Sequence, residues 1–321
     1  MTCPLLYRFR VVDRLPERPS PAAVRGTVVH AVLESLFDLP PADRTLQRAI
    51  DLVPQAWERV AAEQPDLAEL LFADPAVRRT PVAADDESGG SDAGGGGPAG
   101  GERAAGDAGG GDSAGGESAG GAAELRDWLD SMAPLLTTYF ELEDPTRLEP
   151  AEREMRVEIE LESGLVLRGF VDRLDVAPSG ELRVVDYKTG RAPGQGFEAK
   201  AMFQMRVYGL ALWRTTGRVP RMLQLLYLGS GEVLRYAPDE AELRATERKL
   251  DAIWAAIERS MRTGDWRPSP SRLCSWCDHQ AHCPAFGGTP PDLPSVTTTD
   301  VLSADDVLTL RAVERASGGV G

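Results

Sequence analysis

Several features are scarce in this chain, and each scarcity narrows what it can be. No run of about 18 or more apolar residues occurs, so the sequence offers no helix that would span a bilayer. The first ten residues carry Arg8 and Arg10 and lack the apolar block of a secretory signal, which leads us to expect a cytoplasmic protein with no membrane partner. No G-x-x-x-x-G-K-[ST] loop is present, so the chain brings no nucleotide-driven motor of its own. Positive charge is short: 35 Lys and Arg face 50 Asp and Glu, a net charge of −15. Residues 85–117 hold eight of those acids against a single base, Arg103, yet the remainder is still acidic. Bulk charge therefore gives no support to a polyanionic partner. Cysteine (four) and histidine (three) are rare, so wherever they gather is informative.

What is present suffices for one substantial core, since 42% of the 321 residues are hydrophobic. Residues 1–82 read as a helical N-terminal part. Val29, Val32, Leu33, Leu36 and Phe37 recur at helical spacing until Pro40 and Pro41 stop them. A second helix is expected over Leu46–Val60 and a short third near Leu67–Phe72. Residues 83–123 lose all periodicity; sixteen of these 41 residues are glycine, which predicts a disordered insertion. Leu125, Trp128, Leu129, Met132, Leu135, Leu136, Tyr139 and Phe140 then predict a long amphipathic helix running through Pro134.

Strand alternation follows. Met155, Val157, Ile159 and Leu161 point one way, Ser163-Gly164 turns the chain into a strand over Leu165–Asp172, and Pro178-Ser179-Gly180 leads to a strand over Glu181–Lys188. A helix is expected at 198–214, paired strands at Met222–Leu228 and Val233–Tyr236, and a long helix up to Gly264. These elements make an α/β core over 124–267, a mixed sheet flanked by helices. A cysteine segment at 268–287 and a tail at 288–321, with a possible short helix at Ser303–Ala316, complete the chain.

The chemistry concentrates in Gly169-Phe170-Val171-Asp172-Arg173-Leu174-Asp175 and Val184-Val185-Asp186-Tyr187-Lys188. Residues two apart on a strand share a face, so Asp186 and Lys188 emerge together. The fourteen-residue offset from Asp172 to Asp186 suits hairpin neighbours, which would bring the second carboxylate to the same point. Two carboxylates there repel unless a cation lies between them, and hard oxygen ligands suit Mg²⁺ or Mn²⁺. An ammonium beside such an ion can orient water or steady charge on a phosphate. The plainer alternative is a surface salt bridge on exposed strands.

His30 would complete a metal site opposite the two aspartates, with Glu34 one helical turn on, although a histidine on a lone helix is more often a satisfied structural one. Gln204 and Tyr208, also one turn apart, could contact phosphate or a base edge, or simply form a half-buried helix face. Cys274, Cys277 and Cys283 form C-x₂-C-x₅-C, and three such close thiols cannot pair off evenly. With Cys3 they make four thiolates, suited to a [4Fe–4S] cluster or to Zn²⁺; His279 and His282 could serve zinc instead.

The set G-x-x-x-H (26–30), G-x-x-D-R-x-D (169–175), D-Y-K (186–188) and Q-x-x-x-Y (204–208), in this order, resembles the RecB-like branch of the PD-(D/E)XK nucleases. That branch includes the nuclease domains of RecB and AddB and the CRISPR-associated adaptation exonucleases. The resemblance covers most of the chain outside 83–123 and the tail. It implies a restriction-endonuclease-like fold in which His30, Asp172, Asp186 and the Tyr187 carbonyl hold the divalent ion. Lys188 would position or activate water, and Gln204 and Tyr208 would organise the substrate. It also implies that Cys3, Cys274, Cys277 and Cys283 bind a structural [4Fe–4S] cluster, with Zn²⁺ as the alternative. The function implied is a metal-dependent DNA exonuclease of repair or recombination. Its substrate would be single-stranded or carry free ends, and a separate helicase or repair protein could serve as partner. The alternative is a non-catalytic nucleic-acid-binding module, or a zinc-stabilised scaffold, on the same fold.

Overall fold

Alternating apolar residues in five short runs form one five-stranded sheet in the spatial order β1-β2-β3-β4-β5. The runs are β1 (Glu152–Glu160), β2 (Val166–Val176), β3 (Leu182–Lys188), β4 (Met222–Tyr227) and β5 (Glu232–Tyr236). The computed structural model describes residues 3–17, 20–63, 67, 71, 116–194 and 198–294. β1, β2 and β3 pair antiparallel in sequence order, β3 pairs parallel with β4, and β5 returns antiparallel beside β4. The parallel step needs a crossover, and α7 (Glu198–Thr216) supplies it.

Each face of the sheet carries its own core. On one face, Leu182, Val184, Leu223, Leu225 and Tyr227 pack with α7, with α8 (Glu240–Thr263) and with the N-terminal α1 (Pro4–Tyr7) and its continuation through Phe9. On the other, Val185, Tyr187, Leu226 and Leu228 pack under a helical layer. That layer consists of α2 (Pro21–Leu36), α3 (Leu46–Asp51), α4 (Val53–Glu63), α5 (Gly116–Asp130) and α6 (Ala133–Leu142). β3 and β4 are thus almost continuously buried, because both their faces are covered.

Local chemistry sets the helix limits. Ser20 caps α2 and Pro21 occupies its first turn. α8 opens with an Asp239–Glu242 capping box and closes on Gly264 at φ 69°. Two expected helices are each divided. The 46–60 helix breaks at Leu52 and restarts with Pro54 in the first turn of α4. The 125–140 helix breaks after Asp130, and Pro134 lies in the first turn of α6. In both cases proline lacks the N–H that a continuous helix would bond and its ring clashes with the preceding turn. α5 also begins at Gly116, earlier than the expected Glu124. The rest of the expected insertion, most of the expected 67–72 helix and the 303–316 helix lie outside the described residues. No helix among those described is long and apolar enough to cross a membrane.

Two glycines let the site-bearing segments close up. A Cβ at Gly229, just past β4, would stand 2.7 Å from the Gly190 carbonyl oxygen, and one at Gly26 on α2 would stand 3.3 Å from Thr189 Oγ1. α2 and the end of β4 therefore both press against the turn that follows Lys188.

Candidate active site

β3 runs through the centre of the sheet and ends at Lys188, and its alternation distributes the site between the two layers. Asp186 and Lys188 face α7; Tyr187 faces the α2 layer. Asp186 is 1% exposed, and its Oδ2 lies 2.8 Å from Lys188 Nζ. Lys188 Nζ also donates to Gln204 Oε1 at 3.2 Å, and Gln204 Nε2 donates to the Tyr208 hydroxyl at 3.1 Å. Gln204 and Tyr208 lie one turn apart on α7, both buried, so the ammonium is held from behind by a two-residue relay.

On the other flank the Tyr187 peptide is gripped from both sides. Its N–H donates to Asp172 Oδ2 at 2.8 Å, and its carbonyl accepts from His30 Nε2 at 2.8 Å. His30 Nδ1 lies 3.5 Å from Asp172 Oδ2 and 3.8 Å from Glu154 Oε1. The β2–β3 register, with Arg173 opposite Val185, sets Asp172 across from Asp186 as the hairpin spacing predicts.

The charges bias one another. Burial alone would pull His30 down, but the Asp172 and Glu154 carboxylates overcome it and hold the imidazole well above 6.5. Burial pushes Asp172 up, yet His30, Lys188 and the Tyr187 N–H together hold it below 3.8. The two carboxylates thus favour the protonated ring, and Nε2 is the nitrogen that donates to the Tyr187 carbonyl. Lys188 is close enough to Asp172 to contribute, which joins the two flanks electrostatically.

Arg173, the next residue after Asp172, is fully buried beneath the α2 layer. It donates to the Tyr187 hydroxyl (2.8 Å), to Glu143 at the end of α6 (2.7 Å) and to Asp175 (3.1 Å). Gln224 on β4 adds a bond to Glu143 at 3.2 Å. This network anchors the ring whose peptide separates His30 from Asp172.

His30, Glu154 and Asp172 offer ligand atoms that all lie within 4.8 Å of one another, the one such trio among the described residues. Two carboxylates and an imidazole are a donor set suited to Mg²⁺ or Mn²⁺, with the Tyr187 carbonyl beside them. Of the expected site residues, the structure gathers His30, Asp172 and the Tyr187 backbone on one flank and Asp186, Lys188, Gln204 and Tyr208 on the other. Asp186 is not in the trio, since its carboxylate meets Lys188. Glu34 turns its carboxylate to Arg59 of α4 at 2.9 Å.

Glu154 escaped the sequence reading, whose alternating run begins one residue later, at Met155. A signal was available: a hairpin centred on Ser163 pairs position 154 with 172.

The four cysteines are half-buried free thiols. Ser269 N–H donates to Cys3 Sγ at 3.4 Å, so the first cysteine rests against the segment that carries the other three. Phe9 packs edge-on to His279 at 5.5 Å, Tyr7 stacks on Trp266 at 6.1 Å, and Arg8 donates to the Pro291 carbonyl. Burial pushes the Cys277 thiol up, with Cys274 and Cys3 adding to the effect. His279 is buried and bonded to Glu17 at 3.0 Å.

The chain is similar in sequence to known proteins. The curated relatives include the Gene 69 proteins of Mycobacterium phages L5 and D29, each 32% identical over 136 residues, 41% of this chain. The match spans 44% and 48% of their lengths, so the chain covers under half of either. Among solved structures, a candidate exonuclease from Eubacterium rectale aligns over 95% of this chain and 87% of its own at 11% identity. Its TM-score, 0.43, is too low to add weight. The PD-(D/E)XK nuclease superfamily profile, by contrast, matches residues 1–87 and 102–284, nearly the whole described chain and every residue of the site. On that match, and with a sheet and flanking helices of the corresponding kind, the chain belongs to the PD-(D/E)XK nuclease superfamily.

Proposed function

We propose that this nuclease is a divalent-metal-dependent DNA exonuclease of the RecB-like type, acting in repair or recombination. The observation that carries the reading is the convergence at the end of β3. His30, Asp172 and the Tyr187 carbonyl meet on one flank, and Asp186, Lys188, Gln204 and Tyr208 meet on the other. His30, Asp172, Asp186 and the Tyr187 carbonyl would hold Mg²⁺ or Mn²⁺, whose chemistry there is to neutralise phosphate charge and lower the pKa of water. Lys188 orients the attacking water in line with phosphorus and steadies the developing negative charge. Gln204 accepts from Lys188 and fixes its direction, while Tyr208 fixes Gln204. Such a site is a positioning device: its parts are rigid, largely buried and already bonded to one another.

DNA with single strands or free ends is the substrate this reading favours, and unwinding would fall to a separate helicase or repair partner. Cys3, Cys274, Cys277 and Cys283 would hold a [4Fe–4S] cluster that ties the N-terminal segment to residues 268–287.

The test is cleavage of end-labelled single- and double-stranded DNA by anaerobically purified protein, with Mg²⁺, Mn²⁺ or EDTA, beside Lys188→Ala. Metal-dependent cleavage that falls about 10²-fold or more in the variant is expected. Cluster-loaded wild-type protein that cuts neither DNA nor RNA with any metal would leave a binding module instead. Iron with acid-labile sulfide in the same preparation supports the cluster, and zinc without sulfide refutes it.

A further inference from the structure

β1 breaks its own alternation at one residue. Met155, Val157 and Ile159 pack in the α7–α8 layer, as regular alternation requires. Arg153, only two residues before Met155, reaches the opposite layer, donating to the Glu34 carbonyl at 2.6 Å and to Asp38 at 2.8 Å. β2 does the same across from it: Val171 faces the α7–α8 layer, whereas Arg173 faces the α2 layer. The β1–β2 ladder pairs Arg153 with Arg173 and Met155 with Val171 and omits the pair between them. That omitted pair is Glu154 and Asp172. Both strands roll over here, and the pivot in β1 is Glu154, held at φ 43° in the left-handed region.

Glycine would make this pivot with no steric penalty. The chain instead places a carboxylate there, and that carboxylate lies beside His30 of α2. Glu154 Oε1 comes within 3.8 Å of His30 Nδ1, and its ligand atom lies within 4.8 Å of those of His30 and Asp172.

We propose that Glu154 is a direct ligand of the divalent ion, giving the site a third carboxylate beyond Asp172 and Asp186. The inference rests on the metal-dependent reading above and deepens it: the hairpin pivot is itself part of the metal cage. Glu154 supplies an oxygen from β1, so the ion is gripped from three sides, by α2, by the β1–β2 hairpin and by β3. This is hard-oxygen coordination with one imidazole, suited to Mn²⁺ or Mg²⁺.

The test separates a ligand from a mere pivot. Mn²⁺ is titrated into metal-free, full-length protein and free Mn²⁺ is read by electron paramagnetic resonance. Wild type, Glu154→Gln and Glu154→Gly are compared, with the thermal midpoint of each recorded in EDTA. Glu154→Gln keeps the shape and removes the charge; Glu154→Gly also relieves the left-handed backbone. The expected result is a loss of about tenfold or more in Mn²⁺ affinity in both variants. The metal-free midpoint should be unchanged or raised. Affinities within about twofold of wild type in both variants would overturn the proposal and leave the metal-dependent nuclease reading intact. Wild-type protein that takes up no Mn²⁺ would overturn both.

Discussion

Arg173 offers the sharpest test of how this site is held. Its side chain is fully buried and bridges Glu143, Asp175 and the Tyr187 hydroxyl. Replacing it with methionine keeps much of the volume and removes the charge. Asp175 would still have Arg183 at 2.7 Å, and the Tyr187 hydroxyl is neutral, so the loss falls mainly on Glu143. That carboxylate, with a side chain 9% exposed, would keep only the Gln224 bond at 3.2 Å. Stranding one charge of a buried pair costs about 3–5 kcal/mol. Since Asp175 is spared, about 3 kcal/mol is the appropriate figure. For a chain of this size that is a fall of roughly 6–12 °C in thermal midpoint. Urea unfolding followed by tryptophan fluorescence measures it. The double variant Arg173→Met/Glu143→Gln should recover about 1–2 kcal/mol, because the stranded charge goes with it. A single variant within about 1 kcal/mol of wild type, or a double variant no better than the single, would refute the reasoning.

Other outcomes follow from the same geometry. In EDTA the His30–Asp172 pair should stabilise the fold most between roughly pH 4 and 6.5. His30, raised above 6.5, contributes fully below that value and loses its contribution as pH climbs through the raised pKa; Asp172, lowered below 3.8, contributes above that value and loses it as pH falls through the lowered one. Midpoints of wild type and His30→Gln across pH should therefore converge at both ends, and a constant gap would show the pair is not the cause. Gly229→Ala places a methyl 2.7 Å from the Gly190 carbonyl, so the backbone after Lys188 must give way. A loss of about 1–3 kcal/mol is expected, with cleavage weakened more than DNA binding.

The sequence made the layered α/β order readable because β2, β3 and β4 alternate or run apolar over their whole lengths. It also made Asp186, Lys188 and Asp172 readable as one group, since two-residue parity and hairpin spacing are rigid rules. The helix breaks at Leu52 and before Pro134 were harder, because each apolar stripe continues across the break and the stripe is the louder signal. Glu154 was hidden by the same parity rule that revealed Asp186. An alternating strand assigns position 154 to the face opposite Met155, which reads as the polar one, and only the tertiary packing of α2 brings His30 to that face. α5 reaches back into a glycine-rich run whose propensity opposes a helix. Trp128 of that helix packs edge-on against Trp57 of α4 at 5.3 Å, a tertiary contact that no local rule foretells.

The site draws His30 from the layer on one side of the sheet and Gln204 and Tyr208 from the layer on the other. During synthesis the ribosome releases His30 well before the hairpin that carries Asp172, and α7 later still. A nascent or half-docked copy therefore holds fragments of the centre and no complete one. Gathering every group of the site thus requires both layers to be docked on the sheet, so the centre reports the integrity of the whole fold.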